Sequence, residues 1–409
     1  MSRFRGSPDV VVIGAGLVGA ACAYHCSLAG LRVTVVERGA IGAGTTAACE
    51  GNILLSDKEP GPELDLALLS ARLWGELAAE IGAERLEYQT KGGLVVATSA
   101  TTAAGLRALT AAQRGAGVDA VDIGADEVAA LEPNVTRETV GGAYYPQDSQ
   151  VQPMLATARI FQHLRARGVT VLPGTEVTGF LRDAEDAGDD RDAGGTGGTG
   201  DTGGAVRGVR TTAPDAPVIH ARHVVNAAGT WSGRIGALAG APIPVLPRRG
   251  FVLVTEPLPR VVRHKVYTAE YVANVASGDA GLETSVVVEG TRAGTVLIGA
   301  SRERVGFDRT MSLPVLRKLA AQALTVFPFL AEVRLLRAYV GFRPYCPDHL
   351  PVIGADPRAP GLLHASGHEG AGIGLSLATG RLIARTITGA QPDLDLTPFR
   401  PDRFEEATA

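Results

Sequence analysis

The apolar positions near the N-terminus predict a strand, a helix and a second strand in direct succession. Val10 to Ile13 is a short β-branched run of the kind that forms a strand buried on both faces. A helix follows and runs to about Ala29, where Gly30 is placed to end it. A second β-branched run begins at Arg32 and ends on Glu37. These residues are therefore predicted to form a βαβ unit.

The turn between the first strand and the helix has the G-x-G-x-x-G spacing of a dinucleotide-binding site. Gly14 allows the tight turn, Gly16 lets a pyrophosphate approach the backbone, and Gly19 lets the helix pack closely on the strand. The helix N-terminus offers free N–H groups and a positive dipole end to the phosphates. Glu37 is placed to accept a hydrogen bond from a ribose 2′-hydroxyl, which disfavours NADP and leaves FAD and NAD open. The alternative is a βαβ turn without a ligand. The predicted binding residues of this turn are Gly14, Ala15, Gly16, Leu17, Val18 and Gly19.

Further along the chain, helical spacing alternates with strand-like runs. Three runs, at 251–255, 285–289 and 295–298, follow one another without intervening helices, which indicates an antiparallel sheet in a second domain. A turn is predicted at 144–148. Helices are predicted at 63–81, 100–115, 153–167 and 314–327.

Length and composition narrow the class of protein. A chain of 409 residues is too long for one ordinary core, so two domains are expected. The net charge of −4 gives no reason to expect a nucleic acid as a partner. The sequence contains no uninterrupted run of 18 apolar residues, so no membrane span is expected. Four cysteines without paired close spacing predict a reducing, cytoplasmic location and no metal site. The Gly- and Asp-rich stretch at 183–204 is predicted to be a disordered loop.

Two further blocks are rich in small residues. The segment 39–55 lets the backbone run close to a flat ligand, and Thr45 and Thr46 are placed to donate to a phosphate. Cys49 and Glu50 in this segment are candidates to line the site, with simple packing as the alternative. The C-terminal block at 362–374 is a second strand, glycine-rich turn and helix start. Its helix N-terminus would stabilise negative charge that develops on a flavin ring during reduction.

The sequence resembles the D-amino-acid oxidase and glycine oxidase (DAO) family of FAD enzymes over nearly its whole length. The blocks that carry the resemblance occur in the family order: GAGLVG, VERG, GAGTTAACEG, VVNAAGTWS, GFRPYCPDHLPVIG and GHEGAGIGLSLATG. The stretch GNILLSDKEPGPELDLAL is most similar to the branch of D-hydroxyproline dehydrogenase and opine oxidase β subunits and hydrogen cyanide synthase. Because those subunits work with an α subunit and a small iron–sulfur subunit, the resemblance implies such partners as electron acceptors.

The resemblance implies an α/β fold, with a Rossmann-like FAD-binding domain and a second α+β substrate domain built on an antiparallel sheet. The FAD-binding domain would comprise 1–85, 145–235 and 337–409, and the substrate domain 86–144 and 236–336. FAD would be non-covalent, because Cys346 is out of register with the cysteine that tethers the flavin in sarcosine oxidases. The FAD-binding residues implied beyond the first turn are Glu37, Arg38, Gly44, Thr45, Thr46, Gly51, Asn52, Val177, Ala227, Ala228, Gly229, Trp231, Gly367, Gly370, Ala371, Gly372 and Ile373.

Three residues are implied at the reacting end of the flavin. Arg343 matches the family arginine that grips the substrate carboxylate, and a guanidinium fork suits both oxygens. A structural ion pair is the alternative role for this arginine. His368 and Glu369 would contact the flavin pyrimidine edge or the amine, and a solvent-facing turn is the alternative. Weaker candidates for the substrate wall are Tyr267, Tyr271 and Glu289.

The implied activity is FAD-dependent oxidation of a small amine or imino acid, such as a D-amino acid, D-proline, hydroxyproline or an opine. A hydride would pass from Cα–H to flavin N5, with the protein supplying orientation and charge stabilisation. One alternative is a self-sufficient glycine or D-amino-acid oxidase that produces hydrogen peroxide. Another is a flavin-binding scaffold subunit of a multi-subunit dehydrogenase.

Overall fold

A computed structural model describes residues 7–183, 204–271 and 278–404 of the chain. The predicted disordered loop at 183–204 lies almost entirely outside these ranges and stays a prediction. In the part of the chain described, no helix combines the length and the apolar character needed to cross a membrane. The same ranges hold no cluster of three or more His, Cys, Asp or Glu side chains arranged to bind a metal ion.

The helices and strands are numbered in chain order. The helices are α1 (Leu17–Leu28), α2 (Pro62–Ile81), α3 (Ala83–Leu86), α4 (Ala100–Gly115), α5 (Ala125–Leu131), α6 (Pro153–Ala166), α7 (Ser232–Leu238), α8 (Leu313–Val326) and α9 (Gly372–Thr388). The strands are β1 (Val10–Ile13), β2 (Val33–Glu37), β3 (Asn52–Ile53), β4 (Gly93–Ala97), β5 (Val121–Ile123), β6 (Gly141–Tyr145), β7 (Ser149–Gln150), β8 (Thr170–Pro173), β9 (Val177–Arg182), β10 (Val206–Thr211), β11 (Val218–His220), β12 (His223–Asn226), β13 (Leu246–Thr255), β14 (Lys265–Thr268), β15 (Glu283–Gly290), β16 (Val296–Arg302), β17 (Leu335–Tyr345), β18 (Val352–Ala355) and β19 (Leu362–Ser366). Short 3-10 turns lie at Thr45–Ala48, Gly229–Trp231, Pro328–Glu332, Glu369–Ala371, Thr397–Phe399 and Pro401–Phe404.

A six-stranded sheet contains the predicted βαβ unit. Its strand order is β18-β19-β12-β1-β2-β8, and every neighbouring pair is parallel except β18 with β19. Val10 pairs with Val33 on one side and with His223 on the other, so β1 is central and buried on both faces. The prediction of a Rossmann-like parallel sheet is confirmed.

Helices α1 and α9 pack against each other beside this sheet. They approach so closely at Gly380 that a Cβ there would lie 2.4 Å from the Ala21 carbonyl, which explains the glycine in the middle of α9. Each helix begins directly after a strand of the same sheet, α1 after β1 and α9 after β19. Because both strands run in the same direction, both helix N-termini lie at the same edge of the sheet.

The second large sheet has eight strands in the order β17-β13-β16-β15-β14-β4-β6-β5. Its pairs are antiparallel except β14 with β4. Val315 and Leu319 of α8 lie in one apolar core with Phe251 and Leu253 of β13, so α8 covers one face of the sheet. The predicted antiparallel sheet is confirmed, and its other face is turned towards the parallel sheet.

Some local predictions were wrong. Tyr144 and Tyr145 were predicted in a turn, but they end β6, where Tyr144 pairs with both Leu94 and Val121. Partners so distant along the chain leave no local signal.

The predicted domain boundaries stay a prediction. Strand β17 belongs to the eight-stranded sheet, although most of its residues fall in the segment 337–409 assigned to the FAD-binding domain.

Candidate active site

A cavity of about 550 Å³ lies at the carboxyl ends of the parallel strands, facing the eight-stranded sheet. Strands β1, β2, β12 and β19 all contribute the residues at or just after their ends. This is the edge at which parallel sheets bind their ligands. The predicted residues that line the cavity are Gly14, Gly16, Leu17, Val18, Glu37, Arg38, Gly44, Thr45, Thr46, Cys49, Glu50, Gly51, Asn52, Val177, Ala227, Ala228, Gly229, Trp231, Tyr271, Arg343, His368, Glu369, Gly370, Gly372 and Ile373.

The first glycine-rich turn is shaped by a positive φ and a close backbone approach. Gly14 has φ +108°, and a Cβ there would lie 2.4 Å from the Ala227 carbonyl oxygen. Thr46 Oγ1 accepts the N–H of Leu17 at 3.1 Å, which fixes the segment 39–55 on the start of α1. Thr45 donates its hydroxyl to the Phe342 carbonyl at 2.8 Å. The two threonines therefore join the turn and β17, a role that sequence reasoning did not assign to them.

Glu37 is held at the end of β2 by backbone groups. Its carboxylate accepts the N–H of Ala15 and the N–H of Gly39, each at 2.8 Å. A carboxylate has about four acceptor positions, so it retains capacity for a ribose hydroxyl. Beside it, the Arg38 guanidinium lies 3.9 Å from the centre of the Trp231 ring, which itself stacks on Phe307 at 5.2 Å. At the predicted adenosine end, the structure thus places the Glu37 carboxylate, held by two backbone N–H groups, beside the flat side chains of Arg38 and Trp231.

The second glycine-rich turn carries two ionisable side chains in contrasting settings. His368 is 3% exposed, and its Nε2 lies 2.9 Å from Thr379 Oγ1. Because Thr379 donates its hydroxyl to Leu375, the imidazole must be the donor to Thr379. Burial lowers the pKa of His368 to about 3, so the ring is neutral. The solvent-facing alternative is wrong for this residue.

Glu369 connects this turn to the eight-stranded sheet. Its Oε1 lies 2.9 Å from His349 Nδ1, and its Oε2 lies 3.4 Å from Arg248 Nη1. This ion pair with Glu369 raises the pKa of His349. Arg248 also pairs with Glu283 at 2.9 Å. Glu369 is therefore already engaged in an ion-pair network at the cavity wall.

Arg343 lies on β17 and donates from Nη1 to the Ser301 carbonyl at 2.7 Å. Burial, and next the positive charge of Arg302, lower the pKa of Arg343 to about 10. Among the described residues, no carboxylate lies within ion-pair distance of this guanidinium, so the alternative of a structural ion pair finds no support there. A partly buried cation without an acid partner at a cavity wall is suited to binding an anion.

Glu50 also lines the cavity. Its Oε2 accepts from Asn52 Nδ2 at 3.1 Å, while its buried Oε1 has no hydrogen-bond partner among the residues described. The neighbouring Cys49 donates its thiol to the Thr46 carbonyl at 3.0 Å, and burial raises its pKa. Cys49 thus stays a neutral thiol, and of these two residues Glu50 is the polar group available to bind a ligand.

Of the three weaker candidates for the substrate wall, one lines the cavity and two do not. Tyr271 lines the cavity, whereas Tyr267 lies behind it and donates to Ser56 Oγ at 2.5 Å. Glu289 is fully buried behind the wall, and burial raises its pKa to about 7. Four predicted cofactor residues, Ala15, Gly19, Gly367 and Ala371, support the turns without lining the cavity.

Some lining residues were not singled out from the sequence. Several of them come from the eight-stranded sheet, whose strand pairing decides which side chains face the cavity. The alternation along β13, from which Gly250 and Val252 both line the cavity, is the signal that would have found two of them. The residues are Gly250, Val252, Ala300, Phe342 and Pro344.

The chain matches the family model described as FAD dependent oxidoreductase (DAO) over residues 9–386. It belongs to that family. The predictions of the family, of an oxidoreductase and of FAD as the cofactor are thereby confirmed, and NAD is no longer open.

Individual relatives match over almost the full length of both chains. Hydrogen cyanide synthase subunit HcnC of Pseudomonas aeruginosa is 28% identical over 98% of this chain and 97% of that protein. The glycine oxidase of Geobacillus kaustophilus is 29% identical over 96% of each chain. The crystal structure of a G. kaustophilus glycine oxidase superposes with a TM-score of 0.82 at 26% identity, over 97% of this chain and 98% of that one. The L-proline dehydrogenase from P. horikoshii has the same fold, with a TM-score of 0.85 at 23% identity over 99% of each chain.

The residues present fit an FAD. The backbone at Gly14 leaves no room for a side chain, Glu37 retains acceptor capacity, and the N-termini of α1 and α9 meet at one cavity. The first helix end suits the phosphates, and the second suits charge on the flavin ring. The cavity extends beyond these turns to Arg343 and Glu50, which leaves polar groups for a second ligand.

Proposed function

We propose that the protein oxidises a small amino or imino acid at the carbon that carries nitrogen. The observation that supports this most is the pairing of opposite charges at one cavity: the Arg343 guanidinium without an acid partner and the Glu50 oxygen without a donor. An amino acid has a carboxylate for the first group and an amine for the second. FAD, when bound, supplies the acceptor for the hydride that leaves Cα.

The chain's own residues position the substrate and manage its charge. Arg343 binds the carboxylate through its planar fork. The Glu50 carboxylate accepts an N–H of the amine, or takes the proton that an ammonium must lose before its carbon can release a hydride. The neutral His368 and the engaged Glu369 hold the turn that precedes α9. The N-terminus of α9 stabilises negative charge on the reduced ring.

We further propose that the FAD is non-covalent. Cys346 does not line the cavity, and its thiol is buried beside Arg403, whose Nη2 lies 3.7 Å from Sγ. Burial also raises the pKa of Cys346, which keeps it a thiol rather than a reactive thiolate. The predicted division into FAD-binding and substrate domains is part of the same proposal.

The proposal also covers the electron acceptor. The relative HcnC is a subunit of hydrogen cyanide synthase, which favours a chain that works within an assembly. We expect electrons to pass to an α subunit and a small iron–sulfur subunit in the cytoplasm. The glycine oxidase relatives favour a second candidate, an oxidase that reduces oxygen directly.

An anaerobic titration tests the proposal. The purified chain with FAD is mixed with D-proline, cis-4-hydroxy-D-proline, glycine or an opine, and the flavin absorbance is recorded. Bleaching by one of these establishes oxidation in this subunit, and R343K should need far more of that substrate. Readmitted air then separates the acceptors, because fast reoxidation with peroxide indicates the oxidase. A bound flavin that no amino or imino acid reduces, even with co-purified partners, contradicts the proposal.

A further inference from the structure

Lys91, Lys265 and Glu289 form a group of charged side chains behind the cavity wall. Lys265 of β14 is the cross-strand partner of Glu289 of β15, and both are almost completely buried. Lys91 precedes β4, is half-buried and donates to the Gly290 carbonyl at 2.7 Å. In the described ranges, both Glu289 oxygens and the Lys265 ammonium lack a hydrogen-bond partner. Because buried polar groups are normally bound directly or through ordered water, these atoms are suited to binding water.

This cluster lies next to Glu50, the acid of the cavity wall. A Cβ at Gly299 of β16 would lie 2.5 Å from Glu50 Oε1, so this oxygen is turned towards the sheet at position 299. Gly299 pairs with Val287, and Glu289 lies two residues further on the same face of β15. Such diagonal neighbours are about 7–8 Å apart, a gap that water can bridge. Glu50 therefore lies between the cavity and the buried cluster.

The surrounding charges allow Glu289 to exist in both protonation states. Burial raises the pKa of its carboxyl, the positive charges of Lys91 and Lys265 oppose this rise, and the negative charge of Glu50 adds to it. Burial thus favours the acid, whereas the two lysines favour the carboxylate. The other ionisable groups in electrostatic contact with the cluster are Cys49, Tyr339, Glu132 and Arg260.

The proposed reaction releases a proton that has to reach solvent. A substrate ammonium loses a hydride from Cα and a proton from nitrogen, and it leaves as an iminium. When Glu50 takes that proton, it becomes a carboxylic acid and must be deprotonated before the next turnover. Because Glu50 Oε1 is buried, the proton needs a route through the protein.

We propose that Glu289 receives this proton from Glu50 through water and passes it to solvent beside Lys91. The inference rests on the proposed function, in which Glu50 is the base. An O–H bond of Glu50 breaks while one forms on Glu289, and both acids are carboxylates again once the proton reaches bulk water. Lys91 and Lys265 are positioning residues, because their charges hold Glu289 as the anion that accepts the proton.

Proton release is measured separately from flavin reduction. The FAD-loaded chain is mixed without oxygen with D-proline, cis-4-hydroxy-D-proline, glycine or an opine, in the presence of a pH-indicator dye. In the wild type, the dye should respond together with flavin bleaching. In E289Q the bleaching of the first turnover should stay close to wild type, since Glu50 is intact. Proton release should then be about 10- to 100-fold slower, and kcat with an artificial electron acceptor should fall equally.

Two comparisons show whether that delay belongs to Glu289. E289D should recover part of the rate, because it restores an acid. E303Q is the matched control, because Glu303 is a carboxylate of the same sheet that lies 2.9 Å from Arg249 and does not line the cavity. The Kd for acetate, a probe of the Arg343 site, should be unchanged in E289Q, and retained FAD shows that the variant is folded.

K265M provides a test that does not depend on E289Q. Removing this cation raises the pKa of Glu289, which must be ionised to accept a proton. The acidic limb of kcat against pH should therefore move to higher pH. A lower Tm with no movement of this limb would mean that Lys265 and Glu289 only stabilise the sheet, and it would overturn the inference.

Infrared titration follows the two acids without any substrate. The C=O band of a buried carboxylic acid that is absent in E289Q identifies Glu289. In E50Q the midpoint of that band should move to lower pH, because the negative charge of Glu50 is removed.

The possible outcomes separate the two proposals. A Glu289 band that shifts in E50Q, with no substrate oxidised, supports the path between the acids and contradicts the proposed function. Proton release that keeps pace with bleaching in E289Q overturns the inference and leaves the proposed function standing. An equal delay in E303Q also overturns it, because the loss would then come from the fold of the sheet.

Discussion

The two glycine-rich turns occupy equivalent places in the fold but are built differently. The first, before α1, consists of backbone and small residues, and its one acid, Glu37, is anchored by two N–H groups. The second, before α9, carries a buried neutral histidine and a glutamate that reaches across to the other sheet. Glu37 of the first turn is held by groups of its own βαβ unit and the residues just after it, whereas Glu369 of the second contacts a residue of a distant strand.

This difference follows from what each turn has to recognise. A pyrophosphate is bound by N–H groups and a helix end, so shape is the main requirement. The reacting end must place a carboxylate, an amine and a hydride donor carbon relative to one another, and this needs side chains that are held in place. Changes in the first turn should therefore affect FAD binding. Changes near the second turn should affect substrate kinetics and the pH dependence of stability.

The largest effect is expected at Gly14. In G14V the new side chain meets the Ala227 carbonyl, whose oxygen would lie 2.4 Å from Cβ, and φ is +108°. A β-branched residue is strained at that φ, so the turn must rearrange and FAD should be lost from the purified chain. The flavin-to-protein absorbance ratio measures this. G105A is the control, because a Cβ at Gly105 meets no atom within 4 Å. Full FAD content in G14V would contradict the assignment of this turn.

The next largest effect is expected at Arg343. R343K shortens the group and removes the fork, and we expect kcat/KM to fall about 100-fold or more, because truncating one partner of a buried charge pair costs about 2–5 kcal/mol. FAD content should not change, which separates this variant from G14V. Steady-state kinetics and flavin content measure the two effects, with R304K as the matched control. Unchanged kcat/KM would remove Arg343 from the substrate site.

The contrast between the turns also explains what could be predicted from the sequence. The βαβ unit is local, so strand, glycines, helix and Glu37 were all placed correctly. The reacting end depends on pairings between β13, β16 and β17, and the Arg343 bond to Ser301 joins residues 42 positions apart. Sequence reasoning found Arg343 through a motif. It placed Tyr267 and Glu289 at the substrate wall, where only Tyr271 lies, because strand register decides which side chains reach the cavity.

A smaller effect on FAD affinity is expected at Glu37. E37A removes the acceptor for the N–H groups of Ala15 and Gly39 and for the ribose. Charge-assisted hydrogen bonds contribute about 1.5–3 kcal/mol, so the Kd for FAD should rise about 10- to 100-fold. Fluorescence titration of the FAD-free chain gives this value, and E59A at an exposed position is the control. The substrate KM at saturating FAD should stay unchanged, and a matching rise in KM would show that the two ends of the cavity are not independent.

The smallest effect is a pH-dependent stability at the second turn. The ion pair with Glu369 raises the pKa of His349 in the folded chain above its unfolded value of 6.5. The protonated pair therefore adds stability that is fully present below pH 6.5 and is lost as the pH rises through the folded pKa. H349Q should lower the free energy of unfolding by less than about 1 kcal/mol at acidic pH and by less still at alkaline pH, since the pair is partly exposed. Urea unfolding across this pH range measures the difference, with H220Q at an exposed position as the control. A loss that is constant or grows with pH would contradict a contribution from the protonated pair.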